Sequence, residues 1–309
     1  MLDRAIARSV RVLPRGLVAR VARRYIAGED LAAALAVVDH LRDEGCVATL
    51  DILGEHVTSA EQAAGNALAY ENALDAIVGT GLPSGISVKL TGLGLELDRA
   101  LCKAHLGRVL GAAARARRFV RIDMEERAHT DATLELALEQ RRRGYHVGTV
   151  IQARLRRSPG DVERLVDGDV PVRLVKGIYI EPAEVAYTEH GEIRDAFKRL
   201  LAQLVDGGAE VAIATHDEVL VSYALDLLRR SQVPTARYEF QMLLGVRPEM
   251  RRSLVDAGHR VRVYVPFGRD WFAYSVRRLQ ENPRMAMLIA KALIWPRPGG
   301  DGRISARPA

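Results

Sequence analysis

From Gly28 onward the chain alternates between two hydrophobic patterns. Longer stretches keep apolar residues at the three-to-four spacing of a helix, and short apolar runs without that spacing separate them. Helices are expected at about 30–44, 59–78, 98–117, 130–143, 161–166, 182–205, 217–231 and 247–257, several of them stopped by a glycine such as Gly45, Gly144, Gly207 or Gly258. The strand-like runs are CVATLDILGE, ISVKLTGLG, FVRIDMEE, YHVGTVIQARL, VPVRLVKGIYIEP, EVAIATHDE, ARYEFQMLLG and HRVRVYVPFG. Strict alternation argues a parallel sheet with helices outside it. Eight such units in 309 residues favour a distorted, closed (β/α)8 barrel of the TIM type over an open sheet.

Most of these runs end on a polar or reactive side chain: Asp51 or Glu55, Lys89, Asp123, Gln152, Lys176 and Tyr179, His216, Gln241, Tyr264. In a barrel all C-terminal strand ends share one rim, where active sites sit, so residues far apart in sequence would line one pocket. A ninth helical stretch, 268–283, places Tyr274, Arg277, Arg278 and Glu281 on one face and Phe272, Val276 and Leu279 opposite. Two adjacent guanidiniums can grip a small carboxylate. Alone, the same face also reads as solvated Arg–Glu pairs on an exposed helix.

Composition adds boundaries. The chain is 48% hydrophobic and 27% charged, as soluble globular proteins are, and no run is long and apolar enough for a membrane span. Cys46 and Cys102 give neither a disulfide framework nor zinc spacing, which fits a reducing, cytoplasmic setting. The net charge of +6 is concentrated in part in residues 1–28, where Arg4, Arg8, Arg11, Arg15, Arg20, Arg23 and Arg24 face only Asp3. That arm reads as an organelle-type presequence, as a basic amphipathic helix (Leu17, Val18, Val21, Tyr25) suited to a membrane surface or the barrel, or as a solvated arm. Nucleic acid is not expected, since no reader motif or interleaved aromatic is present. The expected organisation is an arm with helices over 1–44, a barrel over 45–294 with a further helix from Pro283 to Leu293, and a disordered tail over 295–309.

Several chemistries fail on spacing. Gly79, Gly81 and Gly85 do not fit GxGxxG, and neither a phosphate-binding GxxxxGK[ST] loop nor an HExxH zinc motif occurs. His216-Asp217-Glu218 lacks a second strand-end histidine, so no metal is expected. The rim's cations (Lys89, Arg173, Lys176, Arg277, Arg278) and tyrosines suit an anionic cofactor and a small carboxylate. A barrel acting on a phosphorylated or other small carboxylate substrate without a bound redox cofactor, and a degenerate, basic, non-catalytic scaffold, are the alternatives.

VKLTGL, RIDMEE, VIQARL, RLVKGIYIEP, ATHD, YEFQMLLG, RVYVPFG and WFAYSVRRLQEN, with DILGE before them, resemble in order the motifs of the FAD-dependent proline dehydrogenases. The resemblance runs from about 45 to 283 and includes the proline dehydrogenase domain of the bifunctional proline-catabolic enzymes. It implies oxidation of L-proline to Δ1-pyrroline-5-carboxylate by hydride transfer to flavin N5, with a membrane quinone as acceptor and a separate pyrroline-5-carboxylate dehydrogenase as partner. By that resemblance Arg277, Arg278 and Lys89 take the substrate carboxylate, and Leu243, Tyr264 and Tyr274 enclose the ring. Tyr179 stands near the site, Asp123 holds Tyr264 or its neighbours, and Glu55 pairs with Arg277 as a gate. Asp123, Met124, Gln152, Arg173, Val175, Lys176, Gly177, Ile178, Thr215, His216, Gln241 and Glu281 line the FAD, with Arg173 near N5. Ile178, Ile180, Arg154 and Leu244 depart from the residues usual at their positions. Because the chain ends soon after the last barrel helix, no second catalytic module is expected, and the arm leaves peripheral contact with the inner face of the cell membrane as an expectation.

Overall fold

The computed structural model describes residues 22, 24–272 and 275. By internal contacts Arg23–Trp271 form one compact unit, and Met1–Ala22 with Phe272–Ala309 form another. Tyr274, Arg277, Arg278 and Glu281, the basic arm to residue 21 and the tail lie outside the described residues.

Within Arg23–Trp271 the elements run α1 (Leu31–Asp43), β1 (Val47–Ile52), α2 (Ala60–Thr80), β2 (Ser84–Val88), α3 (Arg99–Ala116), β3 (Val120–Ile122), α4 (Thr130–Arg142) and β4 (Val147–Gln152). They continue with α5 (Ser158–Asp167), β5 (Val172–Val175), α6 (His190–Asp206), β6 (Val211–Ala214), α7 (Glu218–Arg230), β7 (Tyr238–Leu243), α8 (Pro248–Asp256) and β8 (Val261–Phe267). All neighbouring strands are parallel, and β1 pairs with β8 to close an eight-stranded barrel. The expected (β/α)8 barrel is therefore the fold.

Local chemistry explains the boundaries. Asp30, Ser59, Asp98 and Asp217 cap their helices by accepting backbone N–H bonds from Ala33, Gln62, Leu101 and Val219. Gly81 ends α2 in the left-handed region at φ 68°. In β4, a Cβ on Gly148 would lie 2.3 Å from the Pro171 carbonyl oxygen, so only glycine lets β5 approach.

Two expectations need correction. Strand β2 begins at Ser84, two residues before the expected run, which starts at Ile86. The helix expected from Pro182 starts only at His190. Residues 182–187 pair instead with the loop after β4: Arg156 N–H donates to Val185 O (2.9 Å) and Tyr187 N–H to Arg154 O (2.8 Å). Backbone groups spent on that loop are not available to a helix.

The core has two sides. Leu50, Val88, Ile122, Leu174, Ile213, Phe240 and Val263 face outward and pack with helix residues such as Leu74, Leu106 and Phe197. Each fully buried Leu or Phe contributes roughly 1.5–3 kcal/mol. Residues alternating with them, Asp51, Ser87, Arg121, Arg173, Glu239, Gln241 and Arg262, are polar and bond one another or the lumen's backbone. The lumen is thus polar where most TIM-type barrels fill it with branched apolar side chains.

Candidate active site

Strand ends build the mouth of the barrel. Lys89, one residue beyond β2, donates from Nζ to Asp51 Oδ1 (2.6 Å) and to the Tyr264 hydroxyl (3.0 Å). Its ammonium also lies 3.5 Å from Asp123 Oδ2 and 3.7 Å from Glu55 Oε1. Tyr264, in β8, donates its hydroxyl to Asp123 Oδ2 (2.8 Å), while Ser87 and Arg173 donate to Asp123 Oδ1 (both 2.6 Å). Asp123 accordingly accepts from three strands besides its own.

The electrostatics follow from burial and partners. Burial pushes the Asp51 carboxyl up to about 6; Lys89 opposes the shift, while Asp123 and Glu55 add to it. Burial alone would lower Lys89, but Asp51, Tyr264, Asp123 and Glu55 raise it well above the ordinary lysine value, so it is a fixed cation. Burial would raise Asp123, yet Arg173, Lys89 and its hydrogen bonds carry it below the usual carboxylate range. Asp51 Oδ2 is fully buried without a hydrogen-bond partner among the described residues.

The loop after β1 carries Glu55 and is tied down on both sides. Asn66 Nδ2 donates to Gly54 O and Gly92 O (2.9 Å each), and His56 N–H donates to Thr91 Oγ1 (3.1 Å). The Thr91 hydroxyl and amide are in turn held by the Glu125 carboxylate. His56 Nδ1 lies 3.0 Å from Glu96 Oε2.

On the β4–β6 side, Gln152 reaches the Glu125 carbonyl (3.0 Å), Lys176 pairs with Asp217 (3.0 Å), and Thr215 Oγ1 accepts the Asp217 amide (3.2 Å). Burial would raise Asp217, but Arg194 and Lys176 hold it down at about 2. His216 Nε2 accepts the Leu243 amide (3.0 Å). Burial, then Lys176 and Arg247, lowers His216 to about 4, so its ring is neutral at pH 7 with the proton on Nδ1. Val175 ends β5, and Gly177 sits at φ 96°, where a Cβ would meet the Arg154 side chain at 2.8 Å. The Tyr179 carbonyl accepts from Arg154 Nη1. Met124 is buried, while Ile178, Leu243 and above all Ile180 (84% exposed) present apolar surface to solvent.

Contacts therefore bring Lys89, Asp123, Tyr264, Arg173, Gln241 and Glu55 into one network; Gln152 bonds Glu125, Lys176 and Thr215 bond Asp217, and His216 bonds Leu243, the register partner of Tyr264. Sequence reading missed Ser87, Thr91, Glu125, Glu239 and Arg262. For Ser87, Glu239 and Arg262 the signal was a polar residue inside an apolar strand run, as in VRVYV and YEFQM; Thr91 and Glu125 lie beyond the ends of β2 and β3. Among the described residues the His/Cys/Asp/Glu grouping close enough for a metal is His56, Glu125 and Glu126, on the loops after β1 and β3. No helix among them is long and apolar enough to cross a membrane.

The comparisons agree with this architecture. The family model for proline dehydrogenase matches residues 34–290. The chain is 37% identical to proline dehydrogenase 1 of Bacillus subtilis (strain 168), over 88% of this chain and 90% of that protein. It is 34% identical to the proline dehydrogenase of Deinococcus radiodurans, over 92% and 94%. Among solved structures, proline utilization A from Bdellovibrio bacteriovorus, inactivated by N-propargylglycine, superimposes with a TM-score of 0.78 at 27% identity. That match covers 84% of this chain and 32% of the longer protein. The chain belongs to the proline dehydrogenase family, oxidoreductases that act on proline.

Proposed function

We propose that this protein oxidises L-proline to Δ1-pyrroline-5-carboxylate with FAD as its resident cofactor, and that the electrons pass to a membrane quinone. The observation that carries this reading is the Lys89–Asp51–Asp123–Tyr264 network at the mouth, with Arg173 behind it. The residues present fit a flavin. Ile178, Ile180 and Leu243 leave apolar surface in solvent that a fused ring system would cover, and Lys176, with a side chain 39% exposed, offers a cation to a pyrophosphate. Arg173 commits Nε and Nη1 to Gln241 and Asp123, and its Nη2 carries no hydrogen bond to the described residues. Asp123, Met124, Gln152, Val175, Gly177, Thr215, His216 and Gln241 are proposed to line the same group.

Bound FAD would accept the hydride, which carries both electrons, from the ring carbon beside the proline nitrogen, while the nitrogen gives up its proton as the C=N bond forms. The protein must fix that ring and favour the neutral amine. Lys89 presents a permanent cation to the carboxylate and disfavours a second positive charge on the nitrogen nearby. The Tyr264 ring lies under the Lys89 and Arg173 charges (5.8 and 5.3 Å to its centroid) and forms a wall for the pyrrolidine. Tyr179 stands near the site in this reading. By the family resemblance Arg277, Arg278, Tyr274 and Glu281, which lie outside the described residues, are proposed as further substrate and cofactor ligands, and Glu55 as a gate that excludes water. Product would pass to a separate pyrroline-5-carboxylate dehydrogenase, and the basic arm would meet anionic lipid. Anaerobic titration with L-proline should bleach the bound flavin, and N-propargylglycine should inactivate the enzyme. A yellow protein whose spectrum L-proline does not change would overturn the reading.

A further inference from the structure

Below the mouth runs a line of side chains in which every polarity is forced. Arg262 Nη1 donates to the Ala48 carbonyl, and Arg262 Nε donates to Glu239 Oε1 (2.7 Å each). Gln241 Nε2 donates to the same Glu239 oxygen (2.5 Å), and Gln241 Oε1 accepts from Arg173 Nε (2.5 Å). Arg173 Nη1 then reaches Asp123 Oδ1, whose other oxygen holds Tyr264. A guanidinium only donates and an ionised carboxylate only accepts. The Gln241 amide can therefore satisfy both neighbours in one orientation, nitrogen toward Glu239 and oxygen toward Arg173. Burial works against the ionised form of Glu239, but Arg262, Gln241 and Arg260 hold its carboxyl below the ordinary glutamate value.

We propose that Glu239 is a positioning residue for the reaction at the mouth, acting through the Gln241 amide to fix Arg173. Glu239 and Gln241 are two residues apart in β7 and share the lumen face. The arrangement has a purpose that a direct carboxylate would not serve. A glutamate at 241 would set a second carboxylate on Arg173 beside Asp123, whereas a neutral amide oriented by a carboxylate one step removed anchors Nε without adding negative charge there. The proposal rests on the functional reading above, in which Arg173 faces the flavin.

The test uses the flavin-loaded protein and the variants E239Q and Q241L, singly and together. A glutamine at 239 no longer dictates how Gln241 turns, so Arg173 loses its fixed acceptor. In E239Q, kcat for L-proline should fall about tenfold with KM within about twofold, as a small misplacement near the chemistry does, and the flavin midpoint potential should shift. Q241L keeps the Arg262–Glu239 pair and should reproduce the potential shift. Adding E239Q to Q241L should change nothing further. The proposal falls if E239Q lowers the unfolding midpoint alone, or if the two effects on the potential simply add. A second arm needs no flavin: in stripped protein, the unfolding energies of E239Q and R173K should be non-additive with Gln241 and additive with Leu at 241. Wild-type protein whose flavin ignores proline would refute the functional reading, while this second arm would still decide whether Glu239 and Arg173 are coupled.

Discussion

The floor and the mouth of the barrel bury charge by different means. On the floor, Arg121 donates from Nη1 to the Thr149 and Pro171 carbonyls (2.9 and 2.7 Å), stacks 4.6 Å from the Phe119 ring, and pairs with no carboxylate among the described residues. Burial, and then Arg173, lowers it to about 9, still a cation at neutral pH. At the mouth, Lys89, Arg173, Asp51, Asp123 and Glu55 neutralise one another through side chains. Backbone carbonyls do not titrate and barely move, so the Arg121 side of the floor is a fixed frame, even though the neighbouring Arg262–Glu239 pair is ionic. Carboxylates and ammonium groups titrate and rotate, so the mouth responds to pH and to any ligand that brings charge.

The largest expected effect is at the mouth. Lys89→Met leaves Asp51 and Asp123 buried with their shared cation gone and should cost about 3–5 kcal/mol in urea unfolding. Adding Asp51→Asn should return much of that loss; if it does not, the mouth is not held by mutual charge.

Next is a pH effect. The folded His216 pKa, about 4, lies below the ordinary 6.5. Its contribution is complete above pH 6.5 and is lost as pH falls toward 4, by up to about 3 kcal/mol. Asp51 acts oppositely, because its folded pKa of about 6 lies above 3.8 and its contribution is lost as pH rises through 6. Only the difference between wild type and His216→Gln isolates the histidine, and that difference should vary with pH across this window. A constant difference would contradict the assignment.

Arg121→Met should cost about 2 kcal/mol for two orphaned carbonyls and leave KM for proline and the pH dependence unchanged. A pH-dependent loss there would erase the contrast between floor and mouth. The smallest effect is the control Arg229→Ala, on an exposed pair with Asp226, expected within about 0.5 kcal/mol by thermal unfolding.

The fold was legible because periodicity survives folding: all eight strands, and every flanking helix but the one after β5, lie close to their expected places. The lapse at 182–189 has a tertiary cause, the loop after β4 claiming backbone that local pattern would give to a helix. The mouth was legible as a set of strand ends, but its pairings were not. Nothing in the spacing of Asp51 and Lys89 says that they meet at 2.6 Å, since strand order and register decide that. The floor escaped because Arg121, Glu239 and Arg262 each look like an isolated polar interruption in an apolar run. Only closure of the sheet turns three interruptions into one layer.

The stitching around Glu55 has a kinetic consequence. Asn66 joins Gly54 to Gly92, and Thr91 accepts the amides of both His56 (Oγ1) and Val57 (carbonyl O, 3.4 Å). The loop after β1 therefore cannot fray residue by residue; it opens only together with the turn after β2. Hydrogen exchange should show the amides of His56, Val57 and Thr91 leaving protection as one cooperative unit, slower than the surface turns around them. Any hinge that admits ligand at this rim would then have to lie elsewhere along the chain.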